Sequence, residues 1–487
     1  MWVSTSIIAA TCIAVYFSIL SVGFLSDDWV IISKIRHGSI TDIGAEGIFF
    51  RPLTVISFAI DLSVFGKWAM GFHIVNLLMH VVASLGVAAC ATLIVRRPYA
   101  GLIAGVVFAI HPAHPEAVTW IAGRYDVLCG MFLAWSFFLY LKSYESGVGN
   151  PGVLRGLSLG LFMLAILSKE MAYGFPLVIL LCELLPVGNI GNPPRPLRTR
   201  VMHITSFFIV AVLMLGLRWL RMQGFGASDY LPKEMGGILN AEMLYRVFLE
   251  PLLYLFLPLN RFILTPTTSF AVILIEAVLL LPLALLALKR RMRVVAFCAA
   301  AIVISFLPTA HMGIEKWAFM SSRFLYTPSI FFSILIAALF VDIDKRYSKK
   351  RFVVITLAVY FAAMLLLIYQ NNHPWRIAGQ VTRTSLASSA QLIEQHSGEW
   401  GTSRRKLVVA NVPRAVMGAY LYLWGLPEML YLYHGSELDG VQIEVIFEEP
   451  DTKEMFTLMN RALVEGDVVW LLDYETSEFV EYKPRPE

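Results

Sequence analysis

"VSTSIIAATCIAVYFSILSVGFLSDDWVII", residues 3–32, carries no charge from Val3 to Ser26 and then presents Asp27 and Asp28 side by side. About twenty predominantly apolar residues cross the hydrocarbon core of a bilayer as a helix. Carboxylates are expensive inside that core. The stretch therefore reads as a span near 3–24 with two acids set where the membrane ends. It has no basic segment at its start and no small-x-small cleavage pattern before Asp27, so a retained span is expected rather than a signal peptide.

The rest of the chain agrees. Of 487 residues, 57% are hydrophobic and 15% charged, against roughly 25% charged in soluble domains, and the mean hydropathy is +0.68. Further apolar runs lie near 52–64 with 70–95, 98–112, 122–141, 153–168, 172–188, 201–219, 268–288, 294–309, 327–343 and 352–370. The 52–64 run reads as an interfacial helix leading into a span, giving about eleven spans of bilayer length. Cys12, Cys90, Cys129, Cys182 and Cys298 all fall in apolar runs without metal-ligand spacing, so they read as core residues.

Sidedness follows from lysine and arginine in short loops. Basic clusters recur at Arg96–Arg97, Lys142 with Arg155, Arg195 to Arg200, Lys289 to Arg293 and Lys345 to Arg351. Those loops are expected in the cytoplasm. The alternate loops, with "SDDW", "HPAHPEAVTWIAGRYD", "SKEMAYG", "ASDYLPKE" and "KWAFMSSRFLYTPS", are then expected outside. The proline-rich piece 250–266 reads as an outward re-entrant or interfacial segment. Localisation in a bacterial inner membrane with an extracytoplasmic site is expected.

After residue 370 the composition changes. "KLVVANVP" and "GDVVWLLDYE" read as strands and "TKEMFTLMNRALVEG" as a helix with a glycine stop. The domain reading is a membrane domain over 1–370, a linker over 371–399 and a small outer α/β domain over 400–487.

The outer loops hold the chemistry-bearing residues. In "SDDW" an aspartate at the membrane surface suits a general base, while Asp28 or Ser26 suits a helix N-cap. "HPAHPEAVTWIAGRYD" brings His111, His114, Glu116, Arg124 and Asp126 within sixteen positions. Proline interrupts this set too often for a compact zinc site, and Arg124 with Asp126 reads equally as an ion pair. His73, Asn76 and His80 share one helix face, suited to interhelical hydrogen bonds or to substrate. Lys169 and Glu170 sit at a span end, where mutual pairing is the simple reading. Arg323, with Tyr326 nearby, suits a phosphate or snorkelling to headgroups. Acids, cations, histidines and aromatics at one membrane face fit a lipid-linked phosphate ester. An ion channel fits poorly, because no ring of like groups lines the spans.

"FRPLTVISFAIDLSVFGKWAMGFHIVNLLMHVV", "HPAHPEAVTWIAGRYDVL", "LSKEMA" and "SRFLYTPSI" resemble the membrane half of the transmembrane and tetratricopeptide-repeat O-mannosyltransferases and their bacterial relatives. More remotely the chain resembles the protein O-mannosyltransferases, all of the GT-C class. The resemblance spans about residues 20–180 and, more loosely, 300–380. It departs after the membrane region, where the small α/β domain stands in place of tetratricopeptide repeats. It implies an all-α polytopic bundle of GT-C type that passes a sugar from a polyprenyl-phosphate donor to an acceptor hydroxyl with inversion. Asp27 and Asp28 match the acidic motif that carries the base. A prenyl phosphate leaving group needs cationic stabilisation, and Arg323, Arg124 and Lys169 are the candidates in that order. Glu170, His111, His114, Glu116, Arg51, Tyr326 and His73 complete the expected donor site. No cofactor is fixed by the residues; a divalent cation is compatible with the resemblance. The expected partners are the donor, a protein or glycan acceptor and membrane lipids, with no nucleic acid. A lipid-linked glycan flippase and a non-catalytic scaffold of envelope glycan assembly are the rival classes. Flippases place charge deep in spans or broken helices, whereas here it gathers at the outer ends.

Overall fold

In a computed structural model the chain is described at residues 2–38, 49–147, 149–188, 196–222, 241–263, 265, 267, 270, 274, 292–315, 318–346, 350–395, 406–448, 452–465 and 467–483. The helices in chain order are α1 (Trp2–Tyr16), α2 (Asp27–His37), α3 (Pro52–Phe65), α4 (Ala69–Val95), α5 (Pro98–Ala109), α6 (Pro115–Val118), α7 (Arg124–Lys142), α8 (Pro151–Ser168) and α9 (Phe175–Leu184). They continue with α10 (Leu197–Met222), α11 (Ala241–Leu244), α12 (Glu250–Phe256), α13 (Met292–Phe306), α14 (Pro328–Arg346) and α15 (Lys350–Gln395). Proline opens α3, α5 and α8, where its missing N–H costs nothing and its fixed φ suits the first turn.

Seven helices among the described residues are long and apolar enough to cross a membrane: Val3–Ser21, Ala69–Val95, Ile121–Lys142, Pro151–Ser168, Leu197–Met222, Met292–Thr309 and Val354–Gln395. Pro52–Phe65, Pro98–Ala109 and Pro328–Val341 are shorter apolar helices. The last two are wrapped by the bundle; residues 328–341 are buried throughout. Such helices need not match the lipid thickness themselves, because their ends meet protein. The run at 172–188 yields only the ten residues of α9, too few to span alone. Most of the expected span at 268–288 and the expected outer loop "ASDYLPKE" lie outside the described residues. The 250–266 segment is no span: α12 has seven residues, and the turn after it holds Asn260, whose Nδ2 donates to the carbonyls of Ala318 (3.1 Å) and Met417 (2.9 Å).

Where a linker is expected at 371–399, α15 runs on without a break to Gln395. Its 46 residues give a length of about 70 Å at 1.5 Å per residue, more than twice the hydrocarbon thickness. The helix is thus longer than a span requires, and its C-terminal half supports the rest of the chain. Small hydroxyl residues there make the joint: Ser388 Oγ accepts the Phe479 N–H (2.8 Å), Ser389 Oγ meets His434 Nε2 (2.9 Å), and Ser385 Oγ bonds Tyr422 Oη.

The C-terminal unit contains β1 (Lys406–Val412), β2 (Ala415–Val416), β3 (Ala419–Tyr420), α16 (Leu426–His434), β4 (Gln442–Phe447), α17 (Thr452–Val464), β5 (Val468–Leu472) and β6 (Phe479–Glu481). The main sheet has the order β4-β1-β5-β6, with β1 parallel to both β4 and β5, and β6 antiparallel to β5. The strands expected in "KLVVANVP" and "GDVVWLLDYE" and the helix in "TKEMFTLMNRALVEG" are β1, β5 and α17. Both faces of β1 are buried, as expected of a parallel centre. Val408 and Ala410 pack with Met455 and Met459 of α17. Leu407 and Val409 join the large core shared with the membrane helices.

Candidate active site

The acid pair begins α2, and its two carboxylates part company. Asp28 is buried (1% exposed); its Oδ2 accepts the N–H of Leu25 (2.8 Å) and its Oδ1 that of Ala122 (2.7 Å). It locks the start of α2 onto the loop before α7. Asp27 instead lines a cavity of about 680 Å³. The divergence starts at Ser26, whose φ of +46° and ψ of −117° are a conformation that side-chain-bearing residues rarely adopt. Ser26 makes no side-chain cap on α2. Its N–H donates to Leu421 O (3.0 Å) and its Oγ accepts from Trp424 N (3.3 Å), so the C-terminal unit holds the strained residue in place. Gly425 (φ +84°) presses against the same loop; a Cβ there would lie 2.5 Å from Ser26 O.

The cavity wall comes from both halves of the molecule. From α2 it takes Asp27, Val30, Ile31, Lys34 and Ile35, the i, i+3, i+4, i+7 face of a helix, with Gly38 at its C-cap. Phe49, Arg51 and Tyr125 add the membrane side, and residues 422–428 with Ile443, Val445 and Phe447 add the C-terminal unit. Arg51 Nε donates to Glu170 Oε2 (2.9 Å), and the same two groups form an ion pair. Its guanidinium lies over Phe49 at 4.0 Å and Tyr125 at 4.9 Å. Burial opposes ionisation of Glu170, but Arg51 overcomes it and holds the carboxyl down at about 2. Burial pushes the Asp27 pKa above the usual carboxylate range, with Arg323, Ser26 and Arg51 pulling the other way. A carboxylate that is both accessible and more basic than usual is the form a general base requires.

The other expected site residues lie elsewhere. Arg124 is fully buried, paired with Asp61 at 2.6 Å, and donates to Asn76 Oδ1 (2.6 Å) and Phe72 O (3.1 Å). It is a cross-brace between α3, α4 and α7, not a cavity cation, and it does not pair with Asp126. Lys169 pairs with Asp126 at 2.6 Å, both buried, so Lys169 and Glu170 are not each other's partners either. His73 bonds Val22 O (2.7 Å), His111 bonds Leu255 O (3.1 Å), and His114 bonds Ser329 Oγ (2.8 Å). Tyr326 Oη meets His80 Nδ1 (2.8 Å). All four expected donor contacts here are buried within the bundle. Burial holds the His111 imidazole down at about 4 and that of His114 well below its ordinary value, which suits neutral structural histidines. Glu116 pairs with Arg323 and accepts from Ser322 Oγ (3.1 Å). Arg323 also donates to Tyr420 Oη (2.9 Å) and lies 5.4 Å from the Trp120 ring, joining the segment between α5 and α7 to the C-terminal unit. Among the described residues no three His, Cys, Asp or Glu side chains come together to hold a metal ion.

No family model matches the chain. Protein O-mannosyl-transferase TMTC4 of Homo sapiens is 24% identical over 400 residues, covering 69% of this chain and 53% of its own. Protein O-mannosyl-transferase Tmtc2 of Drosophila melanogaster is 36% identical over 197 residues, covering 39% of this chain and 21% of its own. The chain thus spans about half the length of the first of these relatives, or less. In three dimensions the chain resembles ArnT from Cupriavidus metallidurans, solved bound to undecaprenyl phosphate, with a TM-score of 0.54 at 12% identity over 96% of this chain and 93% of that one. The fold is that of a GT-C glycosyltransferase.

Within this GT-C fold, the cavity contributors not named from the sequence include Tyr125, Lys34 and the segment 422–428. Two of them had a signal. Lys34 lies seven residues after Asp27, on the same helix face. Tyr125 stands between two charges that turn inward, so its own direction is the open one. Residues 422–428 had none, because only the path of α15 brings them back to α2.

Proposed function

We propose that the chain is an integral membrane glycosyltransferase that moves a sugar from a polyprenyl-phosphate donor to an acceptor hydroxyl outside the cytoplasmic membrane. The observation that carries this reading is the opening of Asp27 and Arg51 onto one cavity at the end of the first span. Asp27 takes the proton of the acceptor hydroxyl as its oxygen attacks the anomeric carbon. The bond from that carbon to the phosphate oxygen breaks with inversion, and its electron pair leaves with the prenyl phosphate. The leaving anion gains charge, which Arg51 and Lys34, both in the cavity wall, offset. The undecaprenyl phosphate of the structural relative supports the donor class, and the names of the sequence relatives favour mannose and a protein hydroxyl. The basic loops support an orientation with the cavity outside the cytoplasmic membrane.

The test is direct. Purified protein in detergent is incubated with polyprenyl-phosphate mannose and other polyprenyl-phosphate sugars, and release of prenyl phosphate is followed. Consumption of one donor by the parental protein is expected. No consumption of any donor, with or without hydroxyl acceptors, would remove the reading.

A further inference from the structure

The strand β4 stands at the edge of the sheet and, among the described residues, pairs only with β1. Its other edge offers a row of backbone N–H and C=O groups, which proteins normally blunt with lysine, proline or a covering element. The sequence of β4, QIEVIF, contains neither lysine nor proline. Alternate residues of a strand face opposite sides. Ile443, Val445 and Phe447 all line the cavity that holds Asp27. Glu444 faces the other way, where it pairs with Lys406. The side of the open strand that meets the candidate site is therefore uncharged and half-buried.

We infer that the acceptor is an extended polypeptide segment that adds to β4 as a further strand. This inference rests on the glycosyltransferase reading for its consequence, but not for the binding event. The geometry gives it chemical content. Backbone hydrogen bonds to β4 supply affinity that is tolerant of sequence, and alternate side chains supply selectivity. In the added strand every second side chain lies on the same face as Ile443, Val445 and Phe447. A serine or threonine in that set points into the cavity toward Asp27; one in the other set points away. Glycan and lipid acceptors have no backbone ladder to match this edge. The C-terminal unit thereby acquires a role: it forms the acceptor half of a cavity whose donor half comes from the membrane helices.

The test alters the peptide, so folding of the protein is not at stake. A short fluorescent peptide of alternating threonine and valine is titrated against the full chain in detergent without any donor, and binding is read by anisotropy. Two derivatives carry N-methyl groups on alternate residues, one on the even set and one on the odd set. Only one set can direct its N–H groups to β4. The expected result is a loss of about tenfold or more for one derivative, as several hydrogen bonds are removed, with the other near the parent. Equal effects of both derivatives, or no binding of the parent peptide, would overturn the inference. So would a second copy of the chain already occupying β4, read as hydrogen-exchange protection of that strand that disappears on dilution. Because donor is absent throughout, a failure of sugar transfer leaves this result standing, and a failure here leaves the transferase reading to its own assay.

Discussion

Asp28 Oδ1 accepts the backbone N–H of Ala122 at 2.7 Å, joining the start of α2 to the loop before α7 across the four intervening helices α3 to α6. Its other oxygen holds Leu25 N–H at 2.8 Å. Asparagine can cap a helix but offers one acceptor oxygen where two are used. Asp28→Asn should therefore leave one buried N–H without a partner, at a cost of about 1–3 kcal/mol. The expected outcome is a lowered midpoint of thermal unfolding, with turnover falling only as far as the loop loosens. A variant as stable as the parent would remove the bracing role.

Arg124 gives a second contrast between structure and chemistry. Its side chain and that of Asp61 are 0% and 6% exposed. Removing one partner of a buried pair typically costs about 3–5 kcal/mol. Arg124→Gln should reduce yield and thermal stability, while the protein that does fold keeps parental donor affinity. Weakened donor binding at parental stability would return Arg124 to the cavity.

Arg51 should behave in the opposite way. Arg51→Ala is expected to lower kcat/KM for the donor by about 10²-fold, the scale of one lost donor to a developing anion. Arg51→Lys should recover part of it, since a point charge does not reproduce the planar fork. The pH profile supplies an independent readout. Asp27 must be ionised to act as a base, so activity is present above its pKa and lost below it. Burial raises that pKa, which sets the acid limb above the ordinary aspartate value of about 3.9. Arg51 opposes the rise, so Arg51→Ala should move the limb further up. A limb that stays put would separate Arg51 from Asp27.

Much of this arrangement is legible in the chain. The uncharged run before Asp27 and Asp28 marks the span and the depth of the acids, and the i, i+3, i+4, i+7 residues of α2 mark the cavity face. The partners of the charged residues are not legible. Lys169 and Glu170 are neighbours in sequence, yet one pairs with Asp126 and the other with Arg51. Span ends converge in three dimensions, and the nearest opposite charge there comes from another helix. The linker expected at 371–399 fails for a related reason. Its small polar residues break the apolar pattern of a span, but Ser385, Ser388 and Ser389 are the hydroxyls by which a continuous helix grips the C-terminal unit.

Sidedness is open to labelling. The native cysteines are all buried, so an engineered thiol reports alone. Glu475→Cys should react with an impermeant maleimide from outside intact cells, and Gly149→Cys only after the cytoplasmic face is opened. The reverse pattern would put the cavity on the wrong side for an outward-facing donor.

Asp27, and not its neighbour, is the residue proposed to take the acceptor proton. The most direct measurement is the transfer rate of Asp27→Asn with a polyprenyl-phosphate sugar, beside its donor affinity and thermal unfolding. Loss of a general base costs roughly 10²–10⁴ in rate. A fall of that size with affinity and stability near parental values is expected; transfer by Asp27→Asn at the parental rate would contradict Asp27 as the base.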